Sequence, residues 1–362
     1  MSTIIHKRVT MLELFYDLVF VYAISKITGM VHHLHHGSID WITFVQFIAV
    51  CLFMDQIWVH QTAYVNKYGT STVTDCIGLA LNMFGAVYVS NSINTTWETT
   101  FYPFNIGMMA MVISLALQYY FHGRCTGTFT PEIKELILRC IAEVIMIGVG
   151  LALGYQIGIW IVIVTYIIVS LLPVRNWTIE NTNLPHLVER VSLLTIILFG
   201  EMIVTITQFF DITQFGVLPV ITFIGSVTLF GTYVFQIEEM IDLHRQEKGF
   251  LLIYAHFISF IALEMITASW GFLEQQPDPF FLWWFMFGGL VTFYLSLFAL
   301  TYYHKAAKKL PTSLVVQLGG LILVAAGIAY FVASDPILFA AVVALLNSVI
   351  LLKIWLFNRK HH

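Results

Sequence analysis

The chain has 362 residues, 59% of them hydrophobic and only 10% charged, with a formal net charge of −4 and a mean hydropathy of +0.83. Charged residues make up about 25% of an average soluble domain, so too few remain here to coat a water-facing surface of this size. The bilayer is the solvent that fits, and scattered Lys and Arg with no basic stripe argue against a nucleic-acid partner.

A helix needs about 20 mostly apolar residues to span a bilayer. Twelve stretches meet that length: 11–30, 42–60, 74–91, 104–121, 134–153, 156–173, 187–208, 217–236, 250–271, 280–300, 312–332 and 337–356. They predict an all-α, polytopic integral membrane protein. The connections at 153–157 and 333–336 are very short. Lys7 and Arg8 precede an apolar run, as in a signal peptide, but Glu13, Asp17 and Lys26 interrupt it. The run therefore reads as a retained first helix. Cys51, Cys76 and Cys140 fall in or at spans and Cys125 in a loop, so no structural disulfide is expected.

Basic residues fix an orientation. With Lys7 and Arg8 inside, the inner loops hold Lys67, then Arg124 and Lys134, Arg175, Arg245 and Lys248, then Lys305, Lys308 and Lys309, with Arg359 and Lys360 in the tail. The outer segments contain no Lys or Arg and carry Asp40, Glu98, Asp211, Glu274, Asp278 and Asp335. Both termini are expected in the cytoplasm.

The halves resemble each other. The fourth span ends Ala116-Leu117-Gln118-Tyr119-Tyr120 and the tenth Ala299-Leu300-Thr301-Tyr302-Tyr303. Spans one and seven both begin with an acid, Glu13 and Glu189. Residues 1–177 and 178–362 are expected to form two parallel six-helix repeats, related by an axis along the membrane normal.

A charge inside a span costs about 2.5 to 3.5 kcal/mol on insertion scales, so it persists where it is paired, wet or functional. At 1.5 Å per residue, Glu13, Asp17, Asp55, Asp75, Arg139, Glu143, Glu189 and Arg190 lie toward the inner side. His256 lies somewhat deeper, and Lys26, Glu201 and Glu264 lie toward the outer side. Eight of these are acids, facing the three permanent bases Lys26, Arg139 and Arg190. The surplus acids must be protonated, hydrated or neutralised by cations. Glu13 and Asp17 stand four apart on one helix face and need a base, a cation or a proton; Arg139, Arg190 and His256 are the neighbours at that depth. Arg139 and Glu143 share the same spacing and read as an ion pair within span five, with Glu135 one turn earlier. Lys26 reads either as snorkelling outward or as bridging to Glu201 or Glu264. Glu201, after Gly200 in an apolar helix, reads either as a functional carboxylate or as a protonated Glu bonded to a neighbour.

His32, His33, His35 and His36 crowd the first outer loop. Such density can bind zinc, nickel or copper, although no Cys or acidic cluster completes a site and a solvated loop explains it equally. No Walker A, Rossmann, Cys-x-x-Cys or His-Glu-x-x-His motif is present. No cofactor is expected, and neither ATP-driven transport nor enzymatic chemistry is indicated.

The run Arg8-Val9-Thr10-Met11-Leu12-Glu13-Leu14-Phe15-Tyr16-Asp17-Leu18-Val19-Phe20-Val21 resembles the opening motif of the bacterial low temperature requirement A (LtrA) family. His186-Leu187-Val188-Glu189-Arg190, followed by Ile196-Ile197-Leu198-Phe199-Gly200-Glu201, resembles its second motif, His-x-x-Glu-Arg ending in Gly-Glu. Val191-Ser192 stands where the family often has Phe-Gly, a change that alters packing and leaves the charged frame intact. The resemblance covers essentially the whole chain. It implies a multispan membrane protein tied to growth in the cold and supplies no mechanism.

Together these features lead to the expectation of a proton- or cation-coupled secondary transporter of an unknown small molecule or ion. Glu201, Glu13 and Asp17 would carry protons or a cation, Arg190 and Arg139 would tune them, and His256 would relay. An ion or proton channel, a lipid-handling or enzymatic membrane protein, and a sensor of cold or membrane state are the alternatives. The lipid bilayer is the expected partner, and a homo-oligomer is left open.

Overall fold

The computed structural model describes residues 7–32, 34–180, 182–210 and 216–360. Among these described residues twelve α-helices follow one another: α1 (Met11–Val31), α2 (Trp41–Tyr68), α3 (Val73–Ser90), α4 (Trp97–Thr126), α5 (Pro131–Ala152), α6 (Tyr155–Leu171), α7 (Leu184–Ile206), α8 (Val217–Phe235), α9 (Phe250–Phe272), α10 (Pro279–Ala299), α11 (Thr312–Val332) and α12 (Pro336–Arg359). Each coincides with one of the apolar stretches, and among the described residues there is no β-strand. Nine are long and apolar enough to cross a membrane. The others are α6, at 17 residues, and α5 and α7. These last two have the length but carry Glu135, Arg139 and Glu143, and Glu189, Arg190 and Glu201. The chain is a multi-pass membrane protein.

Helix starts follow local chemistry. Thr130, Asp278 and Asp335 each precede a proline and cap the helix that follows, their side chains accepting from Ile133 N, Phe281 N, and both Ile337 N and Leu338 N. Proline tolerates the first helical position because no hydrogen bond is lost there. Thr72 and Asp75 form a reciprocal capping box at α3. The α5–α6 hairpin closes in two residues, with Gly154 at φ 75°. A side chain at Gly158 would meet the Gly150 carbonyl at 1.9 Å, so only glycine permits these two helices to touch there.

The chain divides into two compact units. The first comprises Met1–Met30, Ile42–Leu194 and Gln246–Phe250, and the second Val31–Trp41, Thr195–Arg245 and Leu251–His362, so the division falls within α7. In the first unit α3 packs on α4, α4 on α5 and α5 on α6. A buried trio of amides joins three of its helices. Gln61 and Gln118 exchange hydrogen bonds of 2.9 and 3.1 Å, and Asn82 donates to Gln61 at 2.5 Å. In the second unit α8 lies along α12, and α11 packs on both α10 and α12. Tyr294 donates to Asn347 Oδ1 at 2.9 Å, and Asn347 Nδ2 donates to the Gly225 carbonyl at 3.1 Å.

Large apolar side chains stand outward on many helices, including Phe84 (73% exposed), Leu323 (73%) and Phe331 (83%). A water-soluble surface rarely tolerates such coverage, whereas lipid tails match it.

Candidate functional site

Polar residues at helical spacing converge in the first unit. On α1, Glu13 and Asp17 lie one turn apart. On α7, His186 and Arg190 have the same spacing, and on α2, Trp58, Thr62 and Asn66 form a third stripe. Local capping presents two of them. Thr10 precedes α1, accepts from the Glu13 backbone N–H at 3.3 Å and donates to its Oε1 at 3.0 Å. Asn183 precedes α7 and accepts from the His186 N–H at 3.1 Å.

The side chains interlock. Arg190 donates from Nη1 to Glu13 Oε2 at 3.2 Å and from Nη2 to Asp17 Oδ1 at 2.7 Å and Thr62 Oγ1 at 3.3 Å. Trp58 Nε1 donates to the same Asp17 oxygen at 2.8 Å. The guanidinium lies 5.8 Å from the Tyr16 ring and 5.7 Å from the Trp58 ring, within cation–π range. His186 Nε2 lies 2.8 Å from Glu13 Oε2. Its tautomer follows from Asn66, whose Oδ1 accepts from the Asn183 N–H, so Nδ2 is the atom 3.0 Å from His186 Nδ1. Nδ1 thus accepts, Nε2 carries the proton and donates to Glu13, and the imidazole is neutral. Glu13, Asp17, His186 and Arg190 are all at most 2% exposed.

Two carboxylates therefore face one buried guanidinium. Lys7, the next cation, faces both Glu13 and Asp75, and its ammonium is bonded to backbone carbonyls rather than to either carboxylate. Within the hydrogen-bonded set of Glu13, Asp17, His186 and Arg190, the ionised carboxylates exceed the guanidinium by one charge. The N-termini of α1 and α7 contribute about 0.3 to 1 kcal/mol each toward an anion, whereas an uncompensated buried ion costs several kcal/mol. Both Glu13 oxygens accept hydrogen bonds, whereas Asp17 Oδ2 has no partner; Tyr16 Oη and Arg190 Nε are likewise buried without one.

The other expected residues are placed as follows. Asp55, three residues before Trp58 on α2, is 2% exposed, and its Oδ2 has no partner. Glu143 accepts from Gln56 at 2.7 Å, and Ser170 donates to Gln56 at 2.9 Å, tying α5, α2 and α6. Arg139 does not pair with Glu143. It turns back one helical turn to Glu135 at 2.8 Å and donates to the Leu172 and Pro173 carbonyls, just past the end of α6. Asp75 is held by its capping box and by Tyr64 Oη at 2.6 Å. Glu189 accepts from the Val9 N–H at 3.4 Å. Lys26, in the first unit, has its ammonium 5.3 Å from the Tyr22 ring.

Glu201, His256 and Glu264 belong to the second unit. There Tyr233 Oη lies 3.0 Å from His256 Nε2, while Nδ1 donates to the Leu252 carbonyl at 2.8 Å. Glu264 is buried and Glu201 half-buried. The histidine loop is a turn in which His35 and Ser38 exchange backbone bonds and His36 has φ 52°. His33 and the outer acid Asp211 lie outside the described residues. Among the described residues no group of three His, Cys, Asp or Glu is placed to hold a metal ion.

Sequence reasoning missed Trp58, Thr62 and Asn66, although their 4-residue spacing was visible. Lys67, expected in an inner loop, instead lies buried in the last turn of α2, where it pairs with Glu132, donates to the Thr178 carbonyl and sits 4.3 Å from the Trp177 ring.

The chain matches the family described as bacterial low temperature requirement A protein (LtrA) over residues 8–350. No curated protein and no solved structure matches it.

Proposed function

The chain belongs to the bacterial low temperature requirement A family, and from that premise we propose that it is a proton- or cation-coupled secondary transporter in the plasma membrane, with both termini in the cytoplasm. The observation that carries this reading is the buried cluster of Glu13, Asp17, His186 and Arg190, which holds two carboxylates against one guanidinium and leaves Asp17 Oδ2 without a partner. Ionisable groups buried in membrane helices commonly mark proton relays and ion paths.

In this mechanism Asp17 carries the exchangeable proton on Oδ2. Arg190 holds both carboxylates in place and keeps its charge throughout. Glu13 and His186 connect the cluster to the end where α1 and α7 begin: His186 donates to Glu13, and Asn66 fixes the ring. When Asp17 is deprotonated the cluster gains a full negative charge in a dry site. That state is stabilised only by a change in packing or by an incoming cation, which is the coupling a carrier requires. Asp55 is the next carboxylate along α2, and Glu201, Glu264 and His256 supply the ionisable groups of the second unit. Residues 1–177 and 178–362 would form two parallel six-helix repeats, the usual plan of such carriers.

The test is proton flux into liposomes containing the purified protein, at a set membrane potential, with Asp17→Asn alongside. Wild-type flux that Asp17→Asn removes, with helical content unchanged, supports the reading. Saturation and a demand for counter-substrate separate a carrier from a channel. A fully active Asp17→Asn protein would sink the assignment.

A further inference from the structure

Beside Glu13, at the end of the first unit where α1 begins, lies a cavity of about 120 Å³. Thr10, Glu13, Gly69, Ser71, Asp75 and Cys76 form much of its wall. Helix α2 ends there at Tyr68. The last carbonyls of a helix lack intrahelical partners and carry the negative end of the helix dipole. Two carbonyls at this end, those of Val65 and Gly69, accept from a single ammonium: Lys7 Nζ is 2.5 Å from each. Burial lowers the pKa of Lys7 from its ordinary value; Glu13 and Asp75 act in the opposite sense, and Arg190 adds to the lowering. These are the charged groups that face it.

This donor set has a recognisable chemistry. Main-chain carbonyls replace the hydration shell of a monovalent cation in channel filters, and helix C-terminal carbonyls bind coupling cations in carriers. The Asp75 oxygens are already engaged by Tyr64, Thr70 and Thr72, so Asp75 supplies field rather than ligation. The hydroxyls of Thr10 and Ser71 stand on the same wall.

We propose that this cavity is a binding site for a monovalent cation, either an alkali ion or the primary ammonium group of an organic amine, and that Lys7, which holds the carbonyls of two of its wall residues, is a tethered competitor for them. The proposal rests on the transport reading only in naming a substrate class for it. A tethered group acts at a high effective concentration, so a free cation binds only in the fraction of molecules whose Lys7 has left the carbonyls. Its apparent affinity is reduced by that fraction. The cavity borders Glu13, so a cation there meets the proton cluster through a shared carboxylate.

The experiment uses the full chain in lipid nanodiscs on a Cys125→Ser background. Cys76 is then the exposed thiol, since Cys51 and Cys140 are buried. Equilibrium binding of radioactive rubidium and of methylammonium is measured for Lys7→Met, Lys7→Gln and the parent, together with the rate of Cys76 alkylation. The proposal expects saturable binding of one cation per chain in both variants, at least about tenfold tighter than in the parent, with slower Cys76 alkylation when the cation is bound. Binding of rubidium alone identifies an alkali-ion site, and binding of methylammonium alone an amine site. Folded variants that bind neither probe overturn the proposal. Failure of both variants to fold also overturns it, because the ammonium would then be a structural tie that never exchanges. Binding without proton flux would defeat the transport reading alone; flux without binding would defeat this proposal alone.

Discussion

In the first unit buried ion pairs join helices, Arg190 to Glu13 and Asp17, and Lys67 to Glu132, beside the neutral trio of Gln61, Asn82 and Gln118. In the second, Tyr294 to Asn347, Ser259 to Ser296 and Tyr233 to His256 join helices through neutral groups. The two chemistries differ in how they fail. Losing one partner of a neutral pair leaves a dipole that a neighbour or the helix's own backbone can satisfy. Losing one partner of an ion pair leaves a charge that the interior cannot hold. Ions in the first unit are therefore most stable as complete sets. The exchangeable proton or cation proposed for the first unit would complete one.

The largest break in this comparison is Arg190→Met. It leaves Glu13 and Asp17 buried without their guanidinium and should remove about 3 to 5 kcal/mol, read as a large drop in the thermal transition in detergent or as loss of folded protein from the membrane. Adding Glu13→Gln should restore part of it. The middle case is Lys67→Met, which strands Glu132 and removes the contact with Trp177. It should cost about 3 kcal/mol, and the double variant Lys67→Met, Glu132→Gln should recover much of that in a double-mutant cycle. The smallest is Tyr294→Phe in the second unit, worth about 0.6 kcal/mol, the average for a hydrogen bond between membrane helices. A Tyr294→Phe loss as large as that of Arg190→Met would erase the distinction between the units.

The helices themselves were legible because an apolar run long enough to span a bilayer has few other stable forms. The misjudged ends show where that signal stops. Helix α2 was expected to end at residue 60 and continues to Tyr68. Gln61, Thr62, Asn66 and Lys67 lower the hydropathy of a segment that is nonetheless buried, since each has a partner. Hydropathy reports the average solvent of a residue and is blind to a polar group satisfied inside. The same limit hid Glu132, just before the fifth span, as the partner of Lys67.

Depth along the helix correctly grouped Glu13 and Asp17 with Arg190 but could not separate Arg190 from Arg139 and His256. Depth fixes one coordinate. The rotation of each helix about its axis, and which helices are neighbours, fix the others. Arg139 was placed on Glu143 because that spacing is favourable within a helix; Glu135 has the same spacing on the other side and adds two carbonyls. The Thr10-x-x-Glu13 capping pattern was a local signal in plain view, and it orients the first residue of the cluster.

The proposed transport role requires Asp17 to carry an exchangeable proton beside Arg190. Infrared difference spectra of the protein in lipid, titrated with pH, read a buried protonated carboxyl group directly. The prediction is a carboxyl band in the wild type that disappears as pH rises and is missing in Asp17→Asn, while Glu13→Gln changes the pH at which it disappears. A spectrum in which Asp17→Asn removes no titrating carboxyl band would contradict the account.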